Sequence, residues 1–174
     1  MVSEHLSTYF TIFVKSLNDA AMRNVDILYA KAMTLAIEKH DGQTDKGGAK
    51  YVEHVKRVAA RCNADETKIV ALLHDLLEDT DVTPDFLLSM GFPQEVVDDV
   101  LAMTRREGEN YADFILRVEQ SERGKEVKIA DLEDNMDIRR LSELTEEDCR
   151  RLCRYLHSWR YLRGLEKDTS KILG

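Results

Sequence analysis

The segment Ala71 to Asp79, ALLHDLLED, sets His74, Asp75, Glu78 and Asp79 among Leu72, Leu73, Leu76 and Leu77. Read as one helix at about 100° per residue, it places His74 and Glu78 on one face, with Asp75 and Asp79 as a parallel pair beside them. The leucines demand burial, so this polar ridge must face a crevice lined by other polar groups or lose its hydration at a cost of several kcal/mol. A bound cation resolves the conflict.

Two further segments supply residues of the kind a hard or borderline divalent cation takes: His54 in YVEH and Asp131 in KIAD. A lone His on a helix is more often a hydrogen-bonded structural residue than a ligand, and a lone Asp is usually solvated. Here all of them interrupt apolar faces, with Val52 and Val55 around His54, and Val127, Ile129, Ala130 and Leu132 around Asp131. His54, His74, Asp75 and Asp131 are therefore the candidate ligands. Two imidazoles and two carboxylates leave room for water in an octahedral shell, which favours Mn²⁺ or Fe²⁺, with Zn²⁺ and Co²⁺ as alternatives and Ca²⁺ disfavoured. Such an ion lowers the pKa of water toward neutrality. Glu78 and Asp79, one turn beyond the ligands, are placed to orient or deprotonate that water. Read instead as a plain acidic helix end, they would oppose the helix dipole.

The elements that must position these residues are helical almost throughout. Among 174 residues, 43% are hydrophobic and only 2 are Pro and 8 Gly, which suits one well-buried core and leaves little room for a sheet. The pattern predicts an all-α, single-domain bundle over residues 1–164, followed by a charged, frayed tail over 165–174. Helices are expected from Ser3 to Leu17 and from Asp19 to Lys39, with Gly42 as a left-handed cap. After a Gly-rich loop from Gln43 to Ala49, helical spacing resumes over Lys50 to Arg61, and Asp65 is expected to cap the helix carrying His74. Thr83-Pro84 reads as an N-cap and first helical position. Further helices are expected over Gln94 to Arg105, Asn110 to Gln120, Glu122 or Gly124 to Leu141, and Thr145 to Gly164.

The formal net charge of −8 gives no footprint for binding a nucleic-acid polymer, though a local cationic cluster could still hold a small anion. No basic leader with an apolar segment and no run of about 18 apolar residues occurs, so a cytoplasmic protein without a membrane partner is expected. The 3 cysteines, Cys62, Cys149 and Cys153, support neither a disulfide framework nor a zinc ribbon. Oligomerisation is not indicated.

The order His54, His74-Asp75, Asp131 resembles the H...HD...D signature of the HD phosphohydrolase superfamily. HDGQTDKGGAKYVEHVKRVA (40–59), VALLHDLLEDTDVT (70–83) and VKIADLEDNMDIRRL (127–141) resemble more closely the hydrolase domain of RelA/SpoT-type enzymes and the small alarmone hydrolases. That resemblance implies an HD-type helical domain with one Mn²⁺ that removes the 3′-diphosphate of ppGpp or pppGpp, giving GDP or GTP plus pyrophosphate. It implies His54, His74, Asp75 and Asp131 as ligands and Glu78 and Asp79 as the water-activating pair. Lys46, Lys128 and Asn135 match substrate-side positions, and Arg105 falls near another basic one.

Positive groups are needed to offset charge on a diphosphate, giving Lys46, Lys128 and Arg105 a reason to converge. Alternatively, Lys46 is a solvated loop residue and Lys128 runs its stem along a buried face. Tyr51 either supports a ligand or contacts a ribose. Arg139, Arg140, Arg150, Arg151 and Arg154 read as surface pairs, and His5, His40 and His157 as structural or exposed. The chain also departs from the pattern. Asp45 stands where an arginine packs against guanine, and Leu132 and Asp134 stand where an arginine and a histidine follow the last ligand. Lys50 and Val55 replace prolines. Another nucleotide substrate, handled by an HD-type nucleotidase or phosphodiesterase, and a non-catalytic nucleotide sensor therefore stay open.

Overall fold

The structure, a computed structural model, describes residues 24–172. The expected helix from Ser3 to Leu17, the start of the next at Asp19, and His5 lie outside the described residues.

Among the described residues the fold is all-α, and the one extended backbone pairing is an isolated bridge between Thr44 and Lys50. Helix α1 is followed through 24–39 and buries Leu28, Ala32, Leu35 and Ala36, the repeating stripe of an amphipathic helix. It ends at a turn in which Gly42 adopts φ +79°, a conformation that glycine reaches without strain. Next come α2 (Tyr51–Arg61), α3 (Asp65–Leu73), α4 (Leu76–Asp79), α5 (Pro84–Ser89), α6 (Gln94–Met103), α7 (Tyr111–Val118), α8 (Glu122–Asn135) and α9 (Glu146–Leu162).

Helix α3 is the axis of the domain. Ile69 to Leu73 are at most 1% exposed, so this helix is apolar on every side and is enclosed by α2, α6 and α8. Each fully buried leucine or isoleucine here contributes about 1.5–3 kcal/mol relative to an exposed one. Because α2, α3 and α8 all pack against one another, polar residues on their facing sides are forced into common space.

Local chemistry sets the ends. Thr83 accepts from the Phe86 amide with Pro84 in the first turn, Asn110 from Asp113, and Ser121 from Gly124. Thr145 and Asp148 form a reciprocal capping box for α9.

The structure corrects several boundaries. Asp65 is the first residue of α3 rather than its cap, which is Ala64. ALLHDLLED is not one helix: α3 stops at Leu73 and α4 begins at Leu76, with Asp75 at φ −98°, ψ −3°, in the sparsely populated bridge region where active-site residues recur. Helix α6 stops at Met103, since the Thr104 backbone turns extended. Helix α8 ends at Asn135 instead of running to Leu141. Asp137 leaves helical geometry at ψ 84°, and its side chain accepts from Arg139 N to start a 3₁₀ turn over Ile138–Arg140. The stretch from Leu165, expected to fray, carries a 3₁₀ turn over Thr169–Ile172, whose Ile172 is fully buried against α7 and α9.

Candidate functional site

His54 lies on the buried face of α2 with Val52, Val55 and Val58. His74 closes α3, Asp75 opens α4, and Asp131 lies on the buried side of α8. Their polar atoms meet. His74 Nε2 is 3.0 Å from Asp75 Oδ2 and 3.8 Å from Asp131 Oδ1. His54 Nε2 is 3.3 Å from Asp131 Oδ1 and 3.8 Å from Asp75 Oδ2. The interruption between α3 and α4 is what swings Asp75 into this group.

Both imidazoles are aimed by the protein. His54 Nδ1 donates to Asp134 Oδ2 at 2.8 Å, and His74 Nδ1 donates to the Ala71 carbonyl at 2.7 Å. Those partners only accept, so the proton sits on Nδ1 in each neutral ring and the Nε2 lone pairs face the centre. His74 Nε2 is buried and makes no hydrogen bond. An orphaned buried acceptor of this kind calls for an explanation. Donors bound at about 2.0–2.2 Å sit roughly 3–3.6 Å apart around a shared ion; the 3.0 and 3.3 Å separations fall in that range and the two of 3.8 Å lie just beyond it. His54, His74 and Asp131 alone bring their donor atoms within 4.8 Å of one another, so the group could hold a metal.

The charges are strongly coupled. Burial disfavours charge on both imidazoles, yet the carboxylates of Asp131 and Asp134 beside His54, and of Asp75 and Asp131 beside His74, outweigh it and raise both. Asp131 is held well below the carboxylate range, against burial, chiefly by Lys128 and the two histidines. Asp75 is lowered to about 2, against burial, by His74. The neighbouring acids move the other way. Burial raises Glu78 and Asp79, and the Asp75 charge adds to the rise in both.

The substrate-side residues divide into groups. Lys128 Nζ donates to Asp131 Oδ2 at 2.9 Å and lies over the Phe114 ring, and Asn135 Nδ2 donates to Asp131 Oδ1 at 2.5 Å. Tyr51 donates its hydroxyl to Asp75 Oδ2 at 2.6 Å, a direct support of that carboxylate. A cavity of about 220 Å³ opens beside the cluster, lined by Lys46, Tyr51, His54, Asn135, Arg140 and Tyr155, among others. Lys46 reaches Asp148 at 3.4 Å from its rim.

Arg105 does not converge with Lys46. Its backbone N–H donates to the Glu78 carboxylate, its Nε donates to the Glu109 carbonyl, and it lines a separate groove of about 790 Å³ with Glu78, Arg106 and Asn110. Glu78 thus faces a second opening.

Several expectations for the other residues change. Arg140 and Arg151, read as surface pairs, do pair, with Asp45 and Asp148, but both line the cavity beside the cluster. Arg154 lies over the Tyr111 ring. Arg139 and Arg150 do pair at the surface, with Asp137 and Glu146. His40 is buried, with Nδ1 on Gln43 and Nε2 without a partner. Sequence reasoning passed over Asp134, which is 1% exposed and accepts from His54, Arg57 and Arg61. Its signal was the spacing of three from Asp131, which puts both on one helix face.

No family model matches the chain. It is similar to guanosine-3′,5′-bis(diphosphate) 3′-pyrophosphohydrolases of Vibrio cholerae, 33% identical over 138 residues, and of Aquifex aeolicus, 36% identical over 118. These alignments cover 71% and 61% of this chain but 19% and 17% of the relatives. A GTP pyrophosphokinase of Myxococcus xanthus is 34% identical over 142 residues, covering 71% of the chain and 18% of the relative. The chain therefore spans about a fifth of the length of the curated relatives it matches. Among solved structures, a metazoan ortholog of SpoT, described as hydrolysing ppGpp and acting in starvation responses, superposes with TM-score 0.66 at 24% identity. That superposition covers 83% of this chain and 91% of the other. The two share the fold.

Proposed function

We propose, for a chain that resembles RelA/SpoT-type (p)ppGpp pyrophosphohydrolases along 71% of its length, that it is a metal-dependent phosphohydrolase releasing the 3′-diphosphate of ppGpp or pppGpp as pyrophosphate. The observation that carries this reading is the inward convergence of two Nε2 lone pairs and two carboxylates from three packed helical segments. His54, His74, Asp75 and Asp131 would hold one divalent ion, with Mn²⁺ the best fit to this N₂O₂ donor set and Fe²⁺, Zn²⁺ or Co²⁺ as alternatives. When bound, such an ion supplies Lewis acidity to phosphoryl oxygens and acidifies water.

The remaining work falls to the chain. Tyr51 and Lys128 hold Asp75 and Asp131 in place through one hydrogen bond each. Lys46 and Arg151, around the cavity, supply donors for phosphate oxygens and offset their charge. Asn135, fixed by its amide N–H to Asp131, keeps its carbonyl oxygen for the nucleotide. Attack on the 3′-phosphoryl group needs a water that gives up a proton. Glu78 and Asp79, whose proton affinity burial raises, are the acceptors, and the Glu78 oxygen that the Arg105 amide does not take is free for it. Arg105 acts from the groove on the Glu78 side.

A second reading, an HD-type enzyme for another nucleotide, is favoured by one observation. Asp45, at the position expected to meet the base, has both carboxylate oxygens engaged by Gly47, Ala49 and Arg140. The test is an assay of the purified chain with Mn²⁺. Pyrophosphate from ppGpp supports the leading reading, orthophosphate from other nucleotides supports the second, and stoichiometric binding without product identifies a sensor. The compartment is read as cytoplasmic. Among the described residues no helix is long and apolar enough to cross a membrane.

A further inference from the structure

Loop 43–50 and the ligand His54 are joined by one unbroken line of charged contacts. Asp45 Oδ1 accepts from the amides of Gly47 at 2.9 Å and Ala49 at 3.0 Å, closing the loop on itself. Its Oδ2 accepts from Arg140 Nη1 at 2.5 Å. The same guanidinium donates through Nη2 to the Asp134 carbonyl at 2.7 Å. The Asp134 carboxylate accepts from Arg57 Nε and Arg61 Nη1, each at 2.8 Å, and from His54 Nδ1 at 2.8 Å. Arg57 also reaches back toward Asp45 at 3.6 Å, so the line closes into a ring.

Backbone packing reinforces it. A Cβ at Gly47 would lie 2.6 Å from the Arg140 carbonyl oxygen, which shows the loop seated directly on the 3₁₀ turn that carries Arg140. Two anions and three guanidiniums share this network. Asp45 and Asp134 have side chains 7% and 1% exposed, so neither is freely solvated. Buried ions left without their partners are costly, which makes the arrangement behave as a unit rather than as separate pairs.

We propose that Asp45, Arg140 and Asp134 form an ionic strut that positions loop 43–50 and the His54 imidazole together, so that the loop carrying Lys46 and the ligand field are mechanically linked. These are positioning residues, because they act through His54 and Lys46. The inference rests on the reading of His54 as a ligand only for its functional consequence; the linkage itself is a property of the metal-free chain.

The test uses the full chain stripped of metal, with Asp45→Asn, Arg140→Gln and their double variant. Ring ¹⁵N resonances of His54 are followed by NMR, and amide exchange is followed at Gly47 and Ala49. Arg140→Gln is expected to accelerate loop exchange and to shift the His54 ring resonances, although residue 140 does not touch that ring. Asp45→Asn should do the same, and the double variant should add little to either single change. If Arg140→Gln loosens the loop while the His54 resonances stay in place, or if the two changes add independently, the strut is refuted.

Calorimetric titration with Mn²⁺ alone supplies the functional arm, with roughly threefold to tenfold weaker binding expected for each single variant, less than the loss from removing a group bonded directly to a ligand. Wild-type affinity in Arg140→Gln would overturn the link to the ligand field. A wild-type chain that binds no Mn²⁺ would sink the metal reading while the NMR arm still decides the strut.

Discussion

Asp134 does for His54 what the Ala71 carbonyl does for His74: it takes the Nδ1 proton and leaves Nε2 bare. Replacing it with Asn offers the ring an uncharged partner, and Mn²⁺ affinity should fall by about 10- to 100-fold, as calorimetry would read. The same change strands Arg57 and Arg61, at a cost of about 2 kcal/mol, reduced from the cost of a wholly buried pair because both guanidiniums reach solvent. Burial alone would raise the Asp134 carboxyl, yet its hydrogen bonds from His54, Arg57 and Arg61 hold it well below the ordinary value of 3.8. A lowered carboxyl stabilises the fold above that value and loses its contribution as pH falls toward its folded pKa. Thermal melts of wild type and Asp134→Asn should therefore differ at neutral pH and converge in acid. Glu78 shows the opposite direction, since burial raises it above 4.5. The acid limb of kcat should be displaced upward from that of an exposed glutamate, and Glu78→Gln should lower kcat by about 10²–10⁴-fold with KM little changed. The convergence of His54, His74 and Asp131 was legible because each breaks an apolar face, and the structure brings their donor atoms together. Asp134 was not, because within DLEDN it looks like one more solvated charge, and only packing against α2 reveals it as buried.

At the scale of elements, the segment that matters most misled the helical reading. ALLHDLLED is mostly made of good helix formers, and the small penalty of His74 and Asp75 does not by itself demand a break. The break arises from tertiary demand, since Asp75 must turn toward His54 and accept from Tyr51. Helix α8 ends early where Asp137 leaves helical geometry, and Arg140 then folds back onto the Asp134 carbonyl six residues before it, a contact that helical periodicity does not express. Where local chemistry decides, the reading holds: Gly42, Thr83-Pro84 and Thr145 all stand where turn and capping rules put them. Loop 43–50 offers a direct test, because an added methyl at Gly47 meets a backbone oxygen that cannot rotate away. Gly47→Ala should displace the loop, raise KM more than it lowers kcat, and leave the circular dichroism of the helices unchanged.

For the whole molecule, stability and site formation draw on the same three helices. Leu72, fully buried in α3 directly before Leu73 and His74, should cost about 2–5 kcal/mol as Leu72→Ala, measured by urea denaturation. Conversely, an ion bound only by the folded chain stabilises it. Mn²⁺ at 100 times its Kd adds about 2.7 kcal/mol, an increase in Tm of roughly 5–11 °C for a domain of this size, which chelation should reverse. An unchanged Tm would argue against a site shared by α2, α3 and α8. The two separate openings carry a kinetic corollary. The cavity with Lys46 and Tyr155 and the groove with Glu78 and Arg105 do not share a lining residue. Under the proposed hydrolysis, the nucleotide product and inorganic diphosphate would have separate ways out. Neither would need to wait for the other, so each could rebind the emptied chain, and inorganic diphosphate added at the start should raise the apparent KM for the nucleotide while leaving kcat unchanged.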